Sequence, residues 1–317
     1  MGVEARRAPV PPEGRAGPRL SPLATLTILH GSDLHFGEPY APRVGHAFQR
    51  AAREVEPDLV VISGDLTQRA KVHEYQAARE YLDRLPDVPV VVTPGNHDVP
   101  LYRVLERLFE PYRNYRRFIS EELNTVARVP GAVIVALNSS APHSAITNGR
   151  IRAHQVELAA RVFQDAPPDA ARIVVSHHHF APAPDYEGDT QLPRAKEILD
   201  AFSQMKVELI LGGHLHRAYI GNSLDVYPGE DRQHGIVIVQ SGTTTSRRGR
   251  AREQAKNSFN VVRVAPGHME VTHYMYFEEI DGFAPFSMHA FPRRDARYFP
   301  RDPFRDVPED ERGEDVA

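Results

Sequence analysis

The chain has 317 residues, of which 41% are hydrophobic and 25% charged, enough for a sizeable core in one large domain or two small ones. A formal net charge of −4 argues against a broad nucleic-acid-coating surface, so nucleic acid is not an expected partner. The absence of cysteine excludes disulfides, zinc–thiolate sites and cysteine nucleophiles.

Residues 1–22 are rich in Pro, Arg and Gly, with no apolar stretch of the kind a signal peptide carries, and read as a disordered tail. No apolar run approaches a membrane span, so the default expectation is a cytoplasmic protein with no membrane partner. Short apolar runs then alternate with helical patterns. Strands are expected at Leu26–Leu29, Leu59–Ile62, Val88–Val92, Val133–Leu137, Ile173–Val175 and Leu209–Leu211. Helices are expected at Val44–Val55, Lys71–Arg84, Leu101–Glu122, Ala153–Phe163 and Pro193–Gln204. The segment 101–130 is a candidate cap, although its tyrosines and arginines also fit a solvated face. Beyond it, Gly235–Val239, Phe259–Val264 and Val271–Tyr276 read as strands without intervening helices. The order predicts a sandwich of two mixed sheets flanked by helices over residues 23–291, with a second disordered tail over 292–317.

Five of the expected strands run into metal-ligating residues. These are Asp33-Leu34-His35, Gly64-Asp65, Gly95-Asn96-His97-Asp98, Ser176-His177-His178 and Gly212-Gly213-His214-Leu215-His216. Loops at the carboxyl ends of strands are where sheet folds place ligands. Asp33 and His35 can turn to one side, as can His214 and His216 at the same spacing. Asp65 offers a carboxylate able to bridge two ions, Asn96 a neutral oxygen, and His177 a further imidazole. Two adjacent divalent ions need such a mixture.

The order D-x-H, G-D, G-N-H-D, a strand ending in His, then G-H-x-H resembles the calcineurin-like metallophosphoesterase family over Leu26 to His216. The resemblance implies a four-layer αββα sandwich with the metal site at the carboxyl ends of the strands. One metal would be held by Asp33, His35, Asp65 and His216. The other would be held by Asp65, Asn96, His177 and His214. His97 and Asp98 would be the catalytic pair, His97 facing the substrate with Asn96 and Asp98 orienting His97. His178 and Arg217 are candidate substrate contacts. Two divalent ions are expected, Fe or Mn in preference to Zn. The implied reaction is in-line attack on phosphorus by a hydroxide held between the metals.

Gly-Asp-Leu-Thr-Gln-Arg-Ala and Pro-Gly-Asn-His-Asp depart from the protein-phosphatase branch. Gly-Gly-His-Leu-His-Arg and the Ser-His-His-His segment resemble bacterial phosphodiesterases of the cyclic-nucleotide and glycerophosphodiester type. Pro182 is displaced from that branch's pattern beside the site. The expected substrate is therefore a small phosphodiester. The alternatives are a monoesterase or nuclease of the same fold and a non-catalytic interaction scaffold. An oligomer is compatible with the sequence.

Overall fold

The computed structural model describes residues 25–143, 149–182, 190–227, 235–249 and 256–293. The expected N-terminal tail lies outside them. The first sheet contains β1 (Leu26–Gly31), β2 (Leu59–Ile62), β3 (Val90–Val92), β10 (Ser258–Val264), β11 (His268–Phe277) and β12 (Gly282–Pro292), in the order β12-β11-β10-β1-β2-β3. The second contains β4 (Thr125–Val129), β5 (Ala132–Ala136), β6 (Ala171–Val175), β7 (Leu209–Gly212), β8 (Tyr219–Asn222) and β9 (Val237–Gln240), in the order β4-β5-β6-β7-β9-β8. Strands β1–β2–β3 are parallel, as are β5–β6–β7–β9, so within each group the carboxyl ends share one edge.

The central strands are apolar on both faces because both faces are covered. Ile28, Val61, Val262 and Val271 meet Ile134, Ile173, Leu211 and Val239 between the sheets. Leu29, Val60 and Ile62 turn outward to Phe48 of α1 (Pro42–Val55) and Tyr81 of α2 (Val72–Leu82). Val133, Val174 and Ile210 turn the other way, to Phe163 of α5 (Ala153–Gln164) and Phe202 of α6 (Ala195–Gln204). The result is the expected four-layer αββα sandwich.

Two expectations change. The single helix over Leu101–Glu122 is two short ones, α3 (Val104–Phe109) and α4 (Arg113–Phe118). Pro111 lies between them, and an interior proline removes a helix hydrogen bond and clashes with the preceding turn. No residue of α3 is buried, whereas Tyr115 of α4 is fully buried. Ordered structure also extends past residue 291: Pro292 pairs with His268, and the Arg293 guanidinium donates to Glu208 at 2.8 Å. The rest of the expected C-terminal tail lies outside the described residues. No helix among them is long and apolar enough to cross a membrane.

Candidate metal centre

The loop after β1 is laid against the loop after β2 by a ladder that outlasts the strands. The amides of Asp33, His35 and Phe36 donate to the carbonyls of Gly64, Asp65 and Leu66 at 3.0, 3.0 and 2.8 Å. This continued pairing puts Asp33, His35 and Asp65 side by side. Asp33, His35, Asp65, His214 and His216 all adopt positive φ, from 50° to 76°. Such a conformation costs a non-glycine residue on the order of 1–3 kcal/mol and concentrates at functional sites. Half of the ten positive-φ non-glycine residues described are therefore sequence-predicted ligands.

One ligand atom from each of Asp33, His35, Asp65 and His216 lies within 4.8 Å of the others, and all four residues are buried. His35 Nε2 and His216 Nε2 are 3.0 Å apart, and His216 Nε2 is 3.0 Å from Asp33 Oδ1. Around Asn96 Oδ1 gather His177 Nε2 at 3.1 Å and His214 Nδ1 at 3.0 Å. Asp65 Oδ2 lies 3.4 Å from His177 Nε2 and 3.6 Å from His35 Nε2, between the two groups. Buried imidazole nitrogens facing each other and a carboxylate, with Asp33 Oδ1 buried without a hydrogen bond of its own, fit a pair of divalent cations.

The electrostatics of the ligand groups differ with their neighbours. Burial holds the His35 imidazole down at about 3 and the His214 imidazole well below its usual range, so both are neutral donors. Burial opposes charge on His177 too, but the Asp65 carboxylate outweighs it and lifts His177 to about 9. Burial resists ionisation of Asp33 and Asp65, yet neighbouring histidines, chiefly His216 and His177 respectively, hold both carboxyls well below the carboxylate range.

The ligands are themselves held. The His177 ring nitrogen Nδ1 bonds the Ser63 carbonyl at 2.8 Å, and His216 Nδ1 bonds the Arg248 carbonyl at 2.9 Å. Ser32 Oγ and the His214 amide both donate to Asp33 Oδ2, at 2.6 and 3.0 Å. Such contacts fix which nitrogen or oxygen is presented. Gly64 (φ +98°) passes so close to His177 that a Cβ would lie 2.5 Å from Nδ1, and a Cβ on Gly95 would overlap the Asp65 carboxylate.

His97 lies beside the cluster, its ring centroid 4.9 Å from that of His35. The expected Asp98–His97 contact is absent. Asp98 is turned away: it accepts from the amides of Leu66, Thr67 and Gly95 and from Thr67 Oγ1, tying the Gly95–Asp98 turn to the β2 loop. Burial and the Asp65 charge push its carboxyl up to about 7 against those donors. His97 is oriented instead by the Gln68 carbonyl, 2.8 Å from Nδ1, with Arg248 Nη1 3.0 Å from Nε2. Nδ1 thus carries the proton and Nε2 accepts. His178 is buried at 2% exposure with Nδ1 on Ser139 Oγ at 2.8 Å, its ring 5.0 Å from that of His177 and 4.6 Å from that of His214. It packs against two predicted ligands, with Nε2 buried and without a hydrogen bond. Arg217 faces a separate cleft beside the site.

Two residues escaped sequence reasoning. Arg248 bridges His97, Gln68 and, through its carbonyl, His216. Its only signal was membership of an arginine-rich polar loop. Ser139, after β5, anchors His178 and carried no motif.

The sequence profile of the calcineurin-like phosphoesterases matches residues 26–218. The chain belongs to the calcineurin-like phosphoesterase family. A probable cyclic nucleotide phosphodiesterase of Synechococcus is 30% identical over 222 residues, 65% of this chain and 79% of that protein. A probable glycerophosphodiester phosphodiesterase, GpdQ, of Arcobacter nitrofigilis is 44% identical over only 57 residues, 18% of this chain and 20% of that one. Among solved structures, a dimetal phosphatase from Danio rerio superposes with a TM-score of 0.55 at 14% identity, over 86% of this chain and all of that one. The yellow lupin purple acid phosphatase PPD1 superposes with a TM-score of 0.64 at 13% identity, over 85% of this chain and 54% of that one. These structures share the fold. The match of profile and homologues makes this metallophosphoesterase a phosphoester hydrolase by family.

Proposed function

We propose that the protein is a dinuclear-metal phosphodiesterase hydrolysing a small phosphodiester. The observation that carries the reading is the pair of ligand groups meeting at Asp65: Asp33, His35 and His216 on one side, Asn96, His177 and His214 on the other. Asp65 is the shared ligand, and Fe or Mn suits the oxygen and imidazole donors better than a thiolate-seeking metal. When bound, two such ions activate water and clamp the oxygens of an in-line displacement.

The chain's own residues do the rest. Asn96 and His97 sit on one turn beside the two ligand groups. Burial lowers the affinity of His97 for a second proton, and its Nε2 accepts from Arg248 Nη1, so it positions that guanidinium rather than standing as an imidazolium. Arg248, 3.0 Å from that nitrogen, supplies fixed positive charge where phosphoryl charge develops. His178 and Asp98 are positioning residues for the ligand loops.

Hydrolysis of bis(p-nitrophenyl) phosphate against p-nitrophenyl phosphate by Mn-loaded protein, with Asp65→Ala as blank, tests this. A higher kcat/KM for the diester is expected. Preference for the monoester would make the protein a phosphatase of the same fold.

A further inference from the structure

A cleft of about 390 Å³ opens at one edge of the sandwich, between β8 of the second sheet and β11–β12 of the first. That size lies within the range of small-molecule sites. Its walls include Arg217, Tyr219, Lys256, His273, Phe286 and His289. Two paths lead from it toward the metal centre. In the second sheet, Arg217 directly follows the predicted ligand His216 and leads into β8. In the first, a buried polar row crosses the strands: Ser63 Oγ to His30 Nε2 at 2.9 Å, His30 beside its β10 partner Asn260, and Asn260 Oδ1 to His273 Nδ1 at 3.0 Å. Ser63 is the residue whose carbonyl holds His177.

The cleft has a construction of its own. The β11–β12 ladder slips between His273 and Tyr274: His273 pairs with Ser287 and Tyr274 with Pro285, leaving Phe286 as the extra residue of a bulge. Bulges re-aim side chains. Here the bulge sets the Phe286 ring at 62% exposure, edge-on to His273 with centroids 6.4 Å apart. A large aromatic side chain held that open has no role in the core. His273 is 6% exposed, and burial holds its imidazole down at about 4, so at neutral pH it is uncharged. With Nδ1–H donated to Asn260, the remaining ring nitrogen, Nε2, is an acceptor.

We propose that this lateral cleft receives one ester arm of the substrate, and that it selects a planar aromatic group bearing N–H donors, of the purine kind. The inference rests on the phosphodiesterase reading above. Phe286 and Tyr219 supply ring faces, Arg217 and Lys256 supply cations that stack on or lie beside an electron-rich ring, and His273 Nε2 accepts an exocyclic N–H. A glycerol arm would leave both rings uncovered, and a quaternary ammonium arm would meet two like charges.

The test is calorimetric titration of the metal-loaded full chain with adenosine as probe, alongside glycerol. Adenosine is expected to bind and glycerol not. Phe286→Ala should weaken adenosine binding about tenfold, the amount a lost stacking contact removes. Phe109→Ala removes an aromatic side chain 78% exposed elsewhere and should leave the affinity unchanged. Adenosine should also shift the His273 ring-nitrogen resonances, which a fold defect in a variant cannot imitate. No adenosine binding by the wild type, or equal affinity in Phe286→Ala with His273 unmoved, overturns the proposal. Adenosine binding is independent of turnover. A protein that binds adenosine yet cleaves no diester would lose the phosphodiesterase reading and keep the cleft, and a diesterase that ignores adenosine would do the reverse.

Discussion

The floor of the site and its rim are built on different terms. On the floor, Asp33, His35, Asp65 and His216 are buried at 2% exposure or less and in left-handed backbone, the first three pinned by the ladder between the β1 and β2 loops. On the rim, Arg248, Arg217 and Phe286 come from a polar loop, a strand approach and a bulge, and retain access to solvent. On the function proposed above, the floor offers a fixed charge pattern that any phosphoester could use, and the rim distinguishes one ester arm from another. That proposal assigns reaction class to the first region and substrate choice to the second.

The largest expected effect is therefore on the floor. Asp65→Ala should lower kcat/KM by at least about 10³-fold, because the residue shared by both ligand groups is gone. Retained activity in that variant would end the division of labour. His97→Ala should keep its metals and lose about 10²–10³-fold in kcat as Arg248 loses its anchor, measured with metal content by mass spectrometry. Loss of metal from His97→Ala would move that residue to the floor. Ser139→Ala should cost about tenfold, since it acts only through His178 on two ligands. A loss as large as that of His97→Ala would make the brace a participant.

The smallest effect is on stability against pH. His273 is held neutral, its affinity for a proton lying below that of the unfolded chain. As pH falls below about 6.5 the unfolded state takes up a proton that the folded state refuses, so stability falls by at most about 1.4 kcal/mol per pH unit from this residue. Denaturant unfolding at pH 7 and pH 5 should show a smaller loss for His273→Gln than for wild type. Equal losses would mean that the row from Ser63 to His273 is open to water.

The two regions also differ in how far the sequence discloses them. Strands buried on both faces announce themselves as apolar runs, and the floor residues follow such runs within a few positions, so their meeting was foreseeable. The family's fold and hydrolase class were legible through the resemblance those five motifs carry. Edge strands were not. Thr125–Val129, Tyr219–Asn222 and Gly282–Pro292 bury little, and β12 carries two prolines within its span, which lowers any strand signal. The bulge that presents Phe286 depends on a register slip that no local pattern encodes. Asp98 misled for another reason. Its place next to His97 suggested a carboxylate–imidazole pair, but four backbone and hydroxyl donors sit closer in space than the neighbouring ring.

The most direct test of the central claim is the metal stoichiometry of the purified protein after titration with Mn(II) and removal of free ion. Two equivalents per chain are expected in the wild type and fewer than one in Asp65→Ala. A wild type that saturates at one equivalent, or an Asp65→Ala protein that still holds two, would contradict a centre organised around a shared carboxylate.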